Sequence, residues 1–240
     1  MGEIFNLDNK FFQGMNKVID CCAVNVLWMF CCMPMAFAAY VAYEAGAALL
    51  YVVCIPTSVL AGAATTALYY VVNKTIRHGR GYVWREFWDS FKANFKQAAV
   101  ISMILTTIVL LFALDAWIMY GFASEGEKIG MIYIVFVIFI VLVVLWACYI
   151  FPYLARFENG TKAILKNAGF MAVANLPKTG MIFVVLAVAV AMFMAIPVLV
   201  LVVPSCYMLL ANLILEKVFR KYMTPEDAAA EEERNREYYN

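Results

Sequence analysis

Residues 131–152 read MIYIVFVIFIVLVVLWACYIFP, a run without a single charge. A soluble core seldom uses an unbroken apolar run of that length. A bilayer core about 30 Å thick needs about 20 such residues for every helix that crosses it. Similar runs recur along the chain, where 65% of the 240 residues are hydrophobic and 15% are charged, against about 25% charged in an ordinary soluble domain. Backbone in hydrocarbon must satisfy its own hydrogen bonds, as helices or as a closed barrel. The runs are continuous and do not alternate between lipid-facing and lumen-facing residues, which selects helices.

The sequence therefore predicts an all-α, polytopic transmembrane helical bundle of about six spans, near 18–42, 47–73, 98–120, 130–152, 180–200 and 203–220. Pro34 and Pro56 interrupt the first two, with Glu44 between them, and Pro197 and Pro204 mark a kink or tight turn between the last two. One long broken helix before residue 55, giving five spans, is the open alternative. A single membrane domain over 1–222 is followed by a charged tail, 223–240, in which Thr224-Pro225-Glu226-Asp227 makes a helix start.

Lys and Arg are held on the cytoplasmic side of membrane proteins. Of the 18 basic residues only Lys128 lies in a predicted outer turn; the rest fall before the first span, in the two inner loops, or in the last turn of the last span and beyond it. That distribution places both termini in the cytoplasm, with three hairpins pointing outward. The first span reads as an uncleaved signal-anchor, because hydrophobicity continues past Ala36-Phe37-Ala38. Asn6 stands where a myristoylation signal needs Ser or Thr. The net charge of +1 argues against a nucleic-acid partner.

Between the second and third spans, Trp84, Phe87, Trp88, Phe91 and Phe95 recur at helical steps, with Arg85, Asp89, Lys92 and Lys96 on another face. The pattern predicts an interfacial amphipathic helix over about 82–97, lying among the inner headgroups. Trp84, Arg85, Trp88, Lys92 and Lys96 then form a candidate lipid or partner surface. Ile4–Met15 is a second interfacial stretch. The inner loop 156–179 has room for a short helix ending before Pro177. Its Glu158 and Leu176-Pro177 match, in spacing only, the inner-face helix of importer permeases of the ATP-binding-cassette type; Asn159-Gly160 and Ile164 depart from that pattern.

Chemical motifs are few. The seven cysteines lack a CxxC pair with a matching partner, and adjacent helical residues point about 100° apart, so Cys21-Cys22 cannot grip one ion together. They read as small buried hydrophobes. His78, the only histidine, sits in the basic turn Arg77-His78-Gly79-Arg80 and reads as a solvated loop residue. No Walker A sequence is present, so the chain cannot energise transport by itself. No catalytic constellation, metal site or cofactor is expected. A charge within a membrane is costly and is usually functional or paired, which makes Asp20 and Asp115 the candidate intramembrane polar residues. Ser58, Gly62 and Thr66 form a stripe of small residues that lets a neighbouring helix approach closely.

The words IFNLDNKFF at 4–12, AATTALYYVV at 63–72, GYVWREFWDSFKANFKQA at 81–98, FPYLARFENG at 151–160, and LKNA with ANLP within 165–177 carry a resemblance. In that order they resemble the YesL-like family of bacterial membrane proteins. The chain departs from the family pattern between Pro34 and Pro56, where extra apolar residues intervene. The resemblance implies a multi-pass protein of the bacterial cytoplasmic membrane, of unassigned biochemical function, accompanying carbohydrate-uptake systems that include ABC importers and sensor kinases. It supplies no catalytic residues. The leading expectation is a non-catalytic accessory or regulatory partner of an ABC-type sugar importer. A small stand-alone channel or carrier is the alternative.

Overall fold

The computed structural model describes residues 10–77 and 82–223, the side chains of 10–13 and 75–77 excepted. Seven α-helices follow one another: α1 Lys10–Glu44, α2 Cys54–Val71, α3 Val83–Ser124, α4 Tyr133–Arg156, α5 Thr161–Ala174, α6 Leu176–Ala195 and α7 Val203–Tyr222. No strand occurs among the described residues, and the all-α bundle stands. Five segments are long and apolar enough to cross a membrane: Gly14–Glu44, Ala48–Lys74, Val83–Ser124, Lys128–Arg156 and Leu176–Ala195. Residues 4–9 of the stretch Ile4–Met15, His78 and all but the first residue of the tail lie outside the described residues.

Residues 18–73 form two helices, which excludes the single broken helix. The 35-residue α1 runs uninterrupted through Pro34, since a membrane helix tolerates the lost hydrogen bond where neighbours compensate. The chain reverses instead at Gly46, whose φ of 60° favours a residue without a Cβ. A 3-10 turn, Ala48–Val53, leads into α2. Pro56 stands in the first turn of α2, where its missing N–H would have had no intrahelical partner.

Against α2 lies α3, the longest element at 42 residues. The expected interfacial helix and the third span are thus one continuous helix, because the sequence Lys92–Ala99 contains neither Gly nor Pro to end it. The aromatic face of its first half meets protein rather than headgroups: Phe87 is fully buried and Phe91 nearly so. Trp88 touches both rings, at centroid distances of 5.5 and 5.3 Å. Trp84 stays exposed.

At the far end α3 and α4 form a hairpin. It turns at Gly126 and is packed by Phe112 on Phe139, with centroids 5.2 Å apart, and Tyr120 edge-on to Tyr133 at 5.6 Å. At the other end, α5 crosses α4 between Trp146 and Tyr153, which share one face seven residues apart. Trp146 Nε1 donates to the Leu165 carbonyl at 3.1 Å, and Asn167 Nδ2 donates to the Tyr153 hydroxyl at 3.1 Å. This is the short helix expected before Pro177.

The last hairpin differs from its sequence reading. Helix α6 begins at Leu176 and stops at Ala195, and residues 197–201 form a 3-10 turn rather than the end of a span. Helix α7 then runs back beside α6. It carries Glu216, Lys217, Arg220 and Lys221 in its last two turns, and so falls outside the five apolar segments. Its start packs against α1 at Cys21 and Asn25, and residues 26–44 of α1 continue past that level.

The buried side chains gather at the end where the basic loops lie. Tyr149, Ile150, Phe87, Ile164, Leu215 and Phe219 are all fully enclosed there. The outer half of α4 instead presents Ile138 and Leu142 outward, and α6 presents Val184 and Val188, as helices facing lipid do.

The stripe of small residues on α2 is a packing surface. A Cβ added to Gly62 would lie 2.5 Å from the Ser102 Cβ and 3.0 Å from the Ala98 carbonyl oxygen. Gly62→Ala therefore forces α2 and α3 apart, at a cost of about 1–3 kcal/mol. The expected result is a lower thermal unfolding midpoint in detergent, partly restored by adding Ser102→Gly.

Candidate functional site

Three polar clusters tie the helices together, two at the basic end and one at the start of α7. In the first, Lys74, just past the end of α2, reaches Glu86 in the first turn of α3, with Nζ and Oε2 2.7 Å apart. Glu86 is well placed, since the N-terminal end of a helix favours a carboxylate. Lys74 also donates to the Tyr70 hydroxyl at 3.3 Å. One turn deeper, the buried Tyr69 hydroxyl donates to Asn212 Oδ1 at 2.7 Å, and Asn212 Nδ2 donates to Asn73 Oδ1 at 2.5 Å. Asn73 belongs to a π-helical turn, Val72–Arg77, which widens the backbone where α2 ends.

The second cluster surrounds the junction of α5 and α6. Asn175 is the single residue between those helices; its side chain donates to the Met171 carbonyl at 2.9 Å and to the Tyr222 hydroxyl at 3.1 Å. The Thr179 hydroxyl donates back to the Ala172 carbonyl at 2.7 Å, which leaves the Tyr149 hydroxyl to donate to Thr179 at 2.8 Å. Nearby, the Tyr153 hydroxyl accepts from Asn159 and Asn167 at 3.0 and 3.1 Å. Gln97 of α3 donates to the Asn159 carbonyl at 2.9 Å. The Arg156 guanidinium lies 5.8 and 5.7 Å from the Phe157 and Phe219 ring centres, a cation–π arrangement.

A third cluster lies where α7 starts beside α1. Asn25, wholly buried, donates to the Leu201 carbonyl at 2.8 Å, and the Ser205 hydroxyl donates to Asn25 Oδ1 at 2.7 Å. The carbonyl belongs to the 3-10 turn before α7, so Asn25 satisfies a backbone group that the broken hairpin leaves open.

The residues singled out from sequence do not converge. Asp20 is half-buried in the first third of α1. Asp115 is half-buried towards the opposite end of α3, two residues before the exposed Trp117. Arg85 pairs with Asp89 at 3.6 Å, both exposed, and Lys92 and Lys96 are exposed further along α3. Trp84 is outermost and Trp88 half-buried. The Gln97–Asn159 bond brings the loop carrying the exposed Glu158 beside α3. Sequence reading missed Asn25, Asn212, Thr179 and Asn175. Amide and hydroxyl side chains inside apolar helices were the available signal, because each needs a partner in hydrocarbon; the partner's identity was not encoded locally.

Residues 21–116, from the second third of α1 to most of α3, match the model of a family described as a protein of unknown function, DUF624. No curated protein and no solved structure matches the chain.

The Tyr69–Asn212–Asn73 chain has a measurable consequence. Asn212→Leu removes an acceptor and a donor from buried neighbours, which costs about 1–3 kcal/mol. A lower unfolding midpoint is expected, whereas Leu213→Ala, on the exposed side of the same helix, should change little.

Proposed function

We propose that this protein is a non-catalytic, multi-pass component of the bacterial cytoplasmic membrane that accompanies carbohydrate uptake as an accessory or regulatory partner of an ABC-type sugar importer. The likeness to the YesL-like family supports that setting, and the DUF624 match is consistent with it. A sensor kinase of the same kind of system is the other partner class that the family context offers. One observation favours an accessory over a carrier. The buried polar side chains Asn25, Asn212 and Thr179 are engaged by neighbouring protein groups, while Arg85, Lys92 and Lys96 face outward on α3. The same polar groups therefore hold helices together, and the charged ones remain available to a partner.

The carrier reading has its own support in the broken backbone of residues 196–202 beside Asn25, since discontinuous helices often line substrate sites. Uptake by cells separates the two at equal membrane abundance. For an accessory, Asp115→Asn leaves sugar uptake nearly intact, and charge reversal at Arg85, Lys92 and Lys96 lowers it. Saturable sugar flux through liposomes holding the protein alone, abolished by Asp115→Asn, would establish the carrier.

The membrane orientation has a separate check. Reporter tags or single cysteines at Asn94 and Lys166 are expected on the cytoplasmic side and one at Glu127 on the outside. An external signal from Asn94 would reverse the assignment.

A further inference from the structure

We propose that the basic end binds the phosphate headgroup of an anionic phospholipid between Lys178 at the start of α6 and Lys217 and Lys221 in the last turns of α7. The ammonium of Lys178 lies 3.4 Å from the backbone carbonyl oxygen of Lys217. Lys217 and Lys221, four residues apart, share one face of α7. The Lys178 ammonium and the exposed Lys217 and Lys221 side chains thus belong to the end of one helix, whose terminal carbonyls favour cations, and the Lys221 ammonium lies 5.4 Å from the Tyr222 ring centre. The neighbouring carboxylate is turned away, since Glu216 pairs with Arg220 at 2.7 Å. Among the described residues no carboxylate forms an ion pair with any of the three lysines.

Like charges at one helix end repel, and an anion among them offsets that repulsion. The surroundings select a lipid anion. Phe170 of α5, exposed at 62%, packs edge-on against Tyr222 with ring centres 5.8 Å apart, next to Lys221. Met181, three residues on from Lys178, is also exposed and opens the outward apolar flank of α6. A phosphate beside an acyl chain fits ammonium groups beside such a flank. The first half of α3 differs, because Phe87 and Phe91 are covered by protein and Arg85 beside the exposed Trp84 pairs with Asp89. This site stands independently of the uptake reading.

The test uses the full chain, delipidated in detergent and titrated with short-chain phosphatidylglycerol or with phosphatidylcholine of the same chains, each bound lipid being counted by native mass spectrometry. Phosphatidylglycerol is expected to bind more tightly. The Lys178→Gln, Lys217→Gln, Lys221→Gln variant should weaken it by about tenfold or more, given the worth of single basic residues at anionic surfaces. Lys92→Gln with Lys96→Gln should leave it unchanged. Replacing the same three lysines by Arg should retain binding, which separates loss of charge from loss of fold. Equal binding of both lipids, an equal loss in the Lys92 and Lys96 variant, or an unaltered triple Gln variant would overturn the proposal. Displacement of phosphatidylglycerol by millimolar inorganic phosphate as effective as by the lipid itself would overturn it too, in favour of a free-phosphate site.

Discussion

Lipid chains are as apolar as leucine, so helices in a bilayer gain little by hiding hydrocarbon from one another; they associate through close packing and hydrogen bonds. The arrangement of this bundle depends on that constraint. At Gly62 the backbone of α2 comes against Ser102 and Ala98 of α3, closer than any side chain would allow. Around that contact α3 runs as one unbroken helix that carries Phe87 and Phe91 into the basic end, where α4, α5 and α7 close over the same core.

The polar clusters serve the same need by the other route. Each joins elements distant in the chain: α2 to α7 through Tyr69 and Asn212, α4 to α6 through Tyr149 and Thr179, and α1 to the start of α7 through Asn25 and Ser205. Removed from water, a hydroxyl or amide without a partner is costly, so such pairs hold a register as well as adding stability. They also explain why the last hairpin can break. The 3-10 turn before α7 is tolerable because Asn25 answers one of its carbonyls.

Two consequences follow for function. Buried polar groups tied to each other are poorly placed to carry a solute, and the charged residues that remain outward line the basic end on α3, α5 and α7. The surface most able to meet something else is therefore at that end, where α5 lies across α4 and the ends of α6 and α7 meet. Part of it borders the apolar flank of α6 and part, on α3, carries Arg85, Lys92 and Lys96 away from the core.

The sequence alone determined the class of structure, because hydrocarbon leaves a backbone no option but helices, and the run 131–152 has no charge to place it elsewhere. It also determined the small-residue face of α2 and the short helix α5, since both are written in local spacing. It did not determine what covers an amphipathic face. The pattern at Phe87 and Phe91 is the same whether headgroups or protein lie opposite, and only the folded bundle put protein there. Nor could Pro34 announce that its helix would continue while Gly46 made the turn, for the outcome rests on neighbouring helices and backbone geometry. The pairing of Asn25 with Ser205 spans 180 positions in the chain. Such a contact exists only once α1 and α7 lie side by side, because a hydrogen bond is decided by distance in space and not by any property of either residue's own segment.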